Sequence, residues 1–218
     1  MSVNGTLGYG GMFLANTRNP FNYEKIEQIS RDLVTSWLTR EELAEQLNLY
    51  SDDSQNEYLY ATELATRMYI EDYLGMPIFP QSYRVYYGMG SIYATPIGLD
   101  LPQTSQGGVT INKVAYYNMD TPPLLVAIDK ADYYYDPTGN KVIVTALPNN
   151  INNYVTNPVI VEYTEQPSIL SQYENIKLAA KLLFTHFYNN RSATTTTGMA
   201  KIPYGVDALL QNYKPLRM

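Results

Sequence analysis

The residues of this chain that could do chemistry are few, and their spacing suits no common reaction. Its 218 residues include no cysteine and a single histidine, His186. The composition therefore excludes thiolate metal sites and cysteine nucleophiles, and it removes most catalytic triads, which need a histidine base. Because a standard zinc site needs several histidine or cysteine ligands, we predict that His186 is a packed helix residue and that the chain holds no metal.

The carboxylates and glycines also form no recognisable site. Acidic residues occur as adjacent pairs, and neighbouring residues on a helix point about 100° apart, so the two carboxylates of a pair do not face each other as those of a glycosidase must. The segment Gly8-Tyr9-Gly10-Gly11 lacks both common phosphate-loop patterns and follows no predicted strand. We therefore predict that the chain is not an enzyme and binds no cofactor. The acidic pairs are Glu41-Glu42, Asp52-Asp53 and Glu71-Asp72.

Charge and tyrosine content set limits on the partners. The net charge is −6, whereas affinity for DNA or RNA comes mainly from lysine and arginine. No stretch approaches the roughly 20 apolar residues of a membrane span, so we expect no membrane partner. The chain has 22 tyrosines, a residue type enriched at protein interfaces, and only 17% charged residues. This composition suits either a subunit covered by its neighbours or a tyrosine-rich sheet with nothing docked on it.

Helical patterns occur between residues 39 and 75. Thr39 and Glu42 form a capping box that predicts a helix over 39–50. Ser54 and Glu57 form a second box, which predicts a helix ending near residue 75. The two helices would make an αα-hairpin. The face predicted for the second helix comprises Tyr58, Ala61, Ala65, Met68 and Asp72, widened by Leu64 and Tyr69.

Before and after this hairpin the pattern differs. Residues 1–32 resemble an extended N-terminal arm, although a helical pattern is possible from Asn22 to Trp37. After Pro77 the hydrophobic period changes to two, and Asp136-Pro137-Thr138-Gly139 predicts a turn in which the glycine accepts a positive φ. Strands are predicted near residues 82–87, 97–101, 109–118, 124–128, 131–135, 141–146 and 158–164.

Helix returns at the end of the chain. Ser171 and Glu174 form a third capping box, and Pro203 can open a short last helix that carries Leu209 and Leu210. We therefore expect an α+β fold, in which a helical bundle of the αα-hairpin and the C-terminal helices carries an inserted antiparallel β-domain. The expected divisions are an arm over 1–32, a helical domain over 33–79 plus 166–218, and the inserted β-domain over 80–165.

One pair of segments carries a family signature. His186-Phe187-Tyr188-Asn189-Asn190-Arg191 ends an apolar helix, and a variable loop leads to Ile202-Pro203-Tyr204-Gly205-Val206-Asp207-Ala208-Leu209-Leu210, followed by Tyr213. This pairing resembles the C-terminal signature of the bacteriophage head-tail connector family, also called head completion or portal adaptor proteins. Leu38-Thr39-Arg40-Glu41-Glu42-Leu43 resembles the opening helix of that family, and Tyr73-Leu74-Gly75 resembles its helix end. The resemblance covers residues 33–215.

The resemblance implies a structural virion protein at the head-tail interface, present in the host cytoplasm during assembly. Such subunits dock on the portal protein as a ring, typically of twelve copies, extend the DNA channel and offer an attachment surface to the tail or to further connector proteins. DNA passes through the channel without sequence-specific binding.

The resemblance also assigns residues. It implies a structural motif made of His186, Tyr188, Asn189 and Arg191. It further implies that a C-terminal segment contacts the portal or a neighbouring subunit through Ile202, Pro203, Tyr204, Gly205, Val206, Leu209, Leu210 and Tyr213.

The alternative is a carbohydrate-binding β-module of a phage or bacterial surface protein. Tyr133, Tyr134 and Tyr135 could stack on sugar rings in such a module. The capped apolar helices at both ends would have no use there.

Overall fold

The computed structural model describes residues 22–49, 54–88, 90, 96–102, 104, 108–190 and 204–214. Contacts divide the chain into two compact units. The sheet unit comprises the residues up to Ser30 together with Gln81–Thr104 and Gly108–Glu165, and the helical unit comprises Arg31–Pro80 and the residues from Gln166 onward. The mixture of helices and antiparallel sheets is consistent with the predicted α+β class.

The sheet unit contains eight strands among the described residues. A five-stranded sheet has the order β1-β2-β8-β4-β5, with β1 and β5 as its outer strands, and a three-stranded sheet has the order β3-β7-β6. Every pairing with a defined register is antiparallel. The strands are β1 Lys25–Arg31, β2 Gln81–Tyr87, β3 Ile97–Asp100, β4 Val109–Tyr117, β5 Leu125–Ala127, β6 Tyr133–Asp136, β7 Lys141–Val144 and β8 Val159–Glu165.

Strand β8 lies at the centre of the larger sheet, and the burial of its side chains agrees with this position. Val159, Val161 and Tyr163 alternate along the strand and are fully buried, as the period of two requires for one face of a sheet. On the neighbouring strand the buried Tyr87 donates its hydroxyl to the Asp100 carbonyl oxygen at 2.7 Å. That hydrogen bond satisfies the polar tip of a ring that would otherwise be costly to bury.

A tight turn joins β6 to β7 where the sequence predicted one. The Asp136 carboxylate accepts the Thr138 backbone N–H at 2.9 Å and the Thr138 hydroxyl at 2.6 Å. The residue with positive φ is Asn140, at 51°, and not the predicted Gly139. Asparagine tolerates the left-handed region better than most residues, so it can take this position.

The helical unit contains four α-helices among the described residues. They are α1 Arg40–Leu47, α2 Asn56–Leu74, α3 Glu174–Asn189 and α4 Tyr204–Leu210. All four contribute buried side chains to one apolar core, which includes Leu43, Ile70, Leu183 and Leu210. In the part of the chain that is described, no helix combines the length and the apolar character needed to cross a bilayer.

The first capping box is confirmed and the other two are wrong. The Thr39 hydroxyl accepts the Glu42 N–H at 3.2 Å, and the Glu42 carboxylate accepts the Thr39 N–H at 2.9 Å. Helix α2 instead begins after Gln55, and α3 begins after Tyr173, and neither of these residues makes a side-chain capping bond. The predicted cap Ser171 donates its hydroxyl to the Ser168 carbonyl oxygen in a preceding 3₁₀ turn.

The helical pattern between Asn22 and Trp37 is also a wrong prediction. Residues 25–31 form strand β1, which pairs with β2 in the larger sheet. Lys25 and Glu27 form an ion pair on this strand at 2.5 Å, and the Tyr86 hydroxyl of β2 donates to Glu27 at 2.7 Å. Pairing with a neighbouring strand overrode the weak helical period. Residues 1–21 of the expected arm lie outside the described residues.

Helix α2 turns a different face to the core from the one predicted. Its buried apolar residues are Leu59, Ile70 and Leu74, whereas Ala61 and Ala65 of the predicted face are exposed. The remaining buried residues of α2 are polar or charged: Thr62, Glu63, Thr66, Arg67 and Glu71. The hydrophobic period selected the wrong face because the true core face carries charges.

Candidate assembly surfaces

The predicted C-terminal contact segment packs on the core of its own unit. Val206 and Leu210 on α4 are 0% exposed, and Leu209 is half-buried against the same core. Gly205 is exposed, and a Cβ built there would meet nothing within 4 Å. Ile202, Pro203 and the side chain of Tyr204 lie outside what the structure describes. Contact of this segment with the portal or a neighbour stays a prediction.

Tyr213 ties the end of this segment to helix α3. Its hydroxyl accepts a hydrogen bond from the Asn175 side chain at 3.2 Å, and its ring meets that of Tyr173 edge-on, with 5.7 Å between centroids. Lys214 lies over the Tyr73 ring at 4.7 Å from the centroid. These contacts hold residues 204–214 against α2 and α3.

Two residues of the signature motif at the end of α3, His186 and Tyr188, make hydrogen bonds within the helical unit. The Tyr188 hydroxyl donates to the Gln55 side chain at 2.5 Å, which joins the end of α3 to the start of α2. His186 is half-buried, and its carbonyl oxygen accepts the Asn190 side-chain amide at 2.8 Å. Asn189 is exposed at the last position of the helix, and Arg191 lies outside the described residues.

A charged stripe on α2, which the sequence analysis missed, holds two irregular segments. Glu63 accepts the backbone N–H groups of Trp37 at 2.9 Å and Leu38 at 3.2 Å. Glu71 accepts the Ile78 N–H at 2.8 Å and pairs with Arg31 at 2.5 Å. The spacing of four residues between Glu63, Arg67 and Glu71 was visible in the sequence, but nothing there showed that the stripe is buried.

Arg67 is the centre of this stripe and is almost fully buried. Its guanidinium donates to the carbonyl oxygens of Asp32 and Thr35 and lies over the Phe79 ring at 4.9 Å. Burial raises the pKa of the neighbouring Glu63 carboxyl, although its two N–H donors favour the charged form. A backbone without regular structure between residues 31 and 38 is thereby fixed by side chains of α2.

The fixed segment presents apolar side chains to solvent. Val34 is 93% exposed and Leu33 is 55% exposed. Together with Tyr60, Ala61 and Leu64 of α2 they line a shallow concavity whose other lining residues are Thr35, Ser36 and Glu63. Because contiguous exposed apolar surface can mark contact sites for other proteins, this concavity is a candidate contact site.

The sheet unit has its own exposed apolar surface, where two loops meet. Asn152 donates its backbone N–H to the Tyr117 carbonyl oxygen at 2.8 Å and its side-chain amide to the Asn118 carbonyl oxygen at 3.0 Å. Met119, Leu124 and Tyr154 are exposed beside this network, Tyr154 to 88%. The hydrogen bonds of Asn152 join the two loops, and the three exposed apolar side chains lie on these joined loops.

The three consecutive tyrosines of β6 do not form a joint stacking surface. Successive side chains of a strand point to opposite faces, and only Tyr134 is exposed, while Tyr133 and Tyr135 pack against the sheet core. A sugar-binding surface would therefore have one ring here instead of three. Among the described residues, no three acidic or histidine side chains gather where they could hold a metal ion.

The fold allows comparison with known structures. The chain shares its fold with chains of neck assemblies. A chain in the neck of an empty gene transfer agent (GTA) particle, computed with C6 symmetry, matches with a TM-score of 0.60 and 16% sequence identity, over 89% of this chain and 97% of that chain. A chain in the virion of a native GTA particle matches with a TM-score of 0.57 and 17% identity over the same shares.

A third structure agrees with these two. A chain in the neck of a native GTA particle, computed with C12 symmetry, matches with a TM-score of 0.53 and 17% identity, again over 89% of this chain and 97% of that chain. No protein-family model matches the sequence, and no curated protein matches it. At such low identity the likeness shows a common fold, which spans both the sheet unit and the helical unit.

Proposed function

We propose that the chain is a non-enzymatic structural subunit of a phage-type virion, a head-tail connector that forms a ring in the neck of the particle. The observation that carries this proposal is the shared fold with chains of GTA necks over nearly their whole length. In this role the ring docks on the portal protein, extends the DNA channel and provides the attachment surface for the tail or for further connector proteins. The symmetric necks of the neighbours support a cyclic assembly, and twelve copies is the number we propose.

The surfaces of the chain support an assembly role. Exposed apolar side chains occur in both units, at Leu33 and Val34 and at Met119, Leu124 and Tyr154, and each group is held in place by buried hydrogen bonds. Such fixed apolar surfaces suit contacts with other proteins better than they suit catalysis. The acidic charge of the chain suits a channel wall that DNA must pass without sticking.

The experiment compares particles made with and without the chain. We expect particles that lack the chain to have heads with portals but no attached tails, and a tagged chain to appear as a ring between head and tail in cryo-electron micrographs. Tailed, infectious particles without the chain, or its absence from purified virions, would contradict the proposal. Retention on a carbohydrate column with no presence in virions would favour the sugar-binding alternative.

A further inference from the structure

Helix α2 buries three charged residues together with its apolar ones, unlike an ordinary surface helix. Amphipathic helices bury their apolar stripe and expose their charges. Here the core face carries Glu63, Arg67 and Glu71, all nearly fully buried, while the exposed positions include Ala61 and Ala65. The outward face of α2, defined as Ala61, Leu64, Ala65 and Met68, continues into the exposed Leu33, Val34 and Tyr60.

The buried charged residues and the exposed alanines of α2 indicate that its outward face is covered in the working assembly. Burying three charged groups is unfavourable unless each has hydrogen-bond partners, and here the network of the 31–38 segment supplies those partners. The network fixes Leu33 and Val34 beside α2 and so enlarges its apolar outward face. The two small residues Ala61 and Ala65 leave room for another helix to approach closely.

Charge and symmetry select the occupant, a second copy of this chain. In a cyclic ring each subunit meets the next through two different surfaces, so one copy must carry both halves of the contact. The charged residues that helix α2 exposes are both acidic, Glu57 and Asp72, because its other two acidic residues and its arginine are buried. Helix α3 has the opposite balance, with Lys177 and Lys181, of which Lys181 also pairs with Glu42 of its own chain at 3.2 Å.

Helix α3 also exposes an apolar side chain. Leu178 is 47% exposed and lies two residues after the fully buried Ile176, about 200° around the helix and thus on its outward side. Ile169, in the 3₁₀ turn that precedes α3, is 63% exposed. Leu178 and the neighbouring Lys177 match the apolar centre and acidic rim of the α2 surface, where Glu57 is exposed and Asp72 pairs with Arg31 at 3.2 Å.

We propose that the outward face of α2, with Leu33 and Val34, binds the outward face of α3, around Leu178, of the next copy in the ring. The inference rests on the proposed connector function and adds the contact that closes the ring. It assigns Lys177 of α3 to the acidic rim of α2 on the neighbouring subunit, so that opposite charges guide two different surfaces together.

The absence of cysteine from the chain allows a direct test by cross-linking. Ala65→Cys and Leu178→Cys place single thiols at exposed positions of the two faces. Full-length variants are incorporated into virions and treated with a short thiol-to-thiol cross-linker. We expect the double variant to give a ladder of covalent oligomers, each single variant to stay monomeric, and a mixture of the two single variants to stop at dimers.

Each other outcome has a defined meaning. Self-linking of the Ala65→Cys variant alone would show a two-fold contact and overturn the proposal, and so would a link from Cys-substituted position 65 to a different virion protein. A double variant that enters virions but stays monomeric after treatment would overturn this inference and leave the connector function standing. Absence of the wild-type chain from virions would overturn the connector function itself.

A disruptive substitution gives an independent readout. Ala65→Arg places a bulky cation on an acidic but close-packed contact, and we expect incorporation into virions to fall by about tenfold or more, which corresponds to about 1.4 kcal/mol. Ala131→Arg, at an exposed alanine of the sheet unit, is the matched control and should be incorporated normally. Normal incorporation of Ala65→Arg would contradict the proposed contact, and equal thermal stability of both variants would show that folding is unaffected.

Discussion

Asp32 keeps its charge by accepting hydrogen bonds from the backbone that follows it. Its carboxylate accepts the N–H groups of Val34 at 2.9 Å and Thr35 at 2.8 Å. The Thr35 and Val34 donors lower the pKa of Asp32 to about 2. The same short turn presents the exposed Val34 and leaves the carbonyl oxygens of Asp32 and Thr35 to Arg67. A single ionised carboxylate thus helps to shape an exposed apolar surface.

Asp32→Asn should reveal this contribution through its dependence on pH. Because the pKa of Asp32 is lower in the folded than in the unfolded chain, its stabilising effect is present above the unfolded value of 3.8 and is lost as the pH falls towards 2. We expect the variant to melt below the wild type at pH 7 and the difference to shrink between about pH 5 and 2. Melting temperatures measured across this range provide the check, and a constant difference would contradict the assignment.

Single residues also show where sequence reasoning stops. Thr39 and Glu42 were correctly predicted as a capping box, because both partners lie within four residues of each other. Ser54 and Ser171 have the same local pattern, but the N-caps are Gln55 and Tyr173, one and two residues later. A local motif alone cannot distinguish these cases.

At the level of elements, helix α4 belongs to the core of the helical unit. Leu210 is fully buried there, whereas Leu178 on α3 is nearly half-exposed. A buried leucine contributes through both its transfer from water and its tight packing, so truncation leaves a cavity. The predicted portal contact by α4 would therefore have to use its exposed side or release the helix from this core.

Leu210→Ala should destabilise the chain by about 2–4 kcal/mol, while Leu178→Ala should change its stability by less than about 0.5 kcal/mol. Both variants remove the same atoms, so the pair isolates the effect of burial. The midpoint of urea unfolding, compared at equal slope, measures the difference. Equal effects of the two substitutions would show that α4 does not pack on its core in solution.

Strands and helices differ in how well the sequence predicted them. The predicted strands near 82–87, 109–118 and 158–164 are confirmed within one or two residues, because their alternation survives in the buried core. Strand β1 was missed because its residues have a helical period and no alternation of burial. Its place is fixed by pairing with β2, which is a long-range contact that no window of sequence contains.

The outward face of α2 shows a different kind of failure. Its apolar stripe was found, but it was assigned to the core. The buried face could not be predicted because its charged residues bind distant groups, whose positions depend on the folded unit. Glu63 and Arg67 bind backbone groups of the 31–38 segment, and Glu71 binds the Ile78 N–H. An apolar stripe is therefore evidence for burial, but it does not say whether the chain itself or another molecule buries it.

At the scale of the whole molecule, the negative net charge suits the proposed channel wall and does not suit a DNA-binding protein. Each chain carries −6, so a ring of twelve copies would carry roughly −72, a field that repels phosphates. The charged residues exposed on α2 are acidic, and Lys177 of α3 belongs to the proposed contact between subunits. Passing DNA would then meet little that could hold it.

We accordingly expect the purified chain to leave duplex DNA unretarded in gel-shift experiments even at about 50 mM salt, where phosphate contacts are strong. The reason is the net charge of −6, which opposes the approach of DNA phosphates. A basic DNA-binding protein of similar mass serves as the positive control. A shift that weakens as salt is added would show phosphate binding and contradict a repelling surface.

The two outer strands of the large sheet affect how readily separate copies of the chain could aggregate. A sheet edge leaves backbone groups unpaired, and a flat apolar edge can recruit the same edge of another copy and grow into fibres. Strand β1 carries Lys25 and Glu27, and β5 at the other edge is only three residues long. Both traits discourage edge-to-edge growth. In the proposed connector role, these edges would disfavour edge-to-edge aggregation of subunits that have not yet assembled.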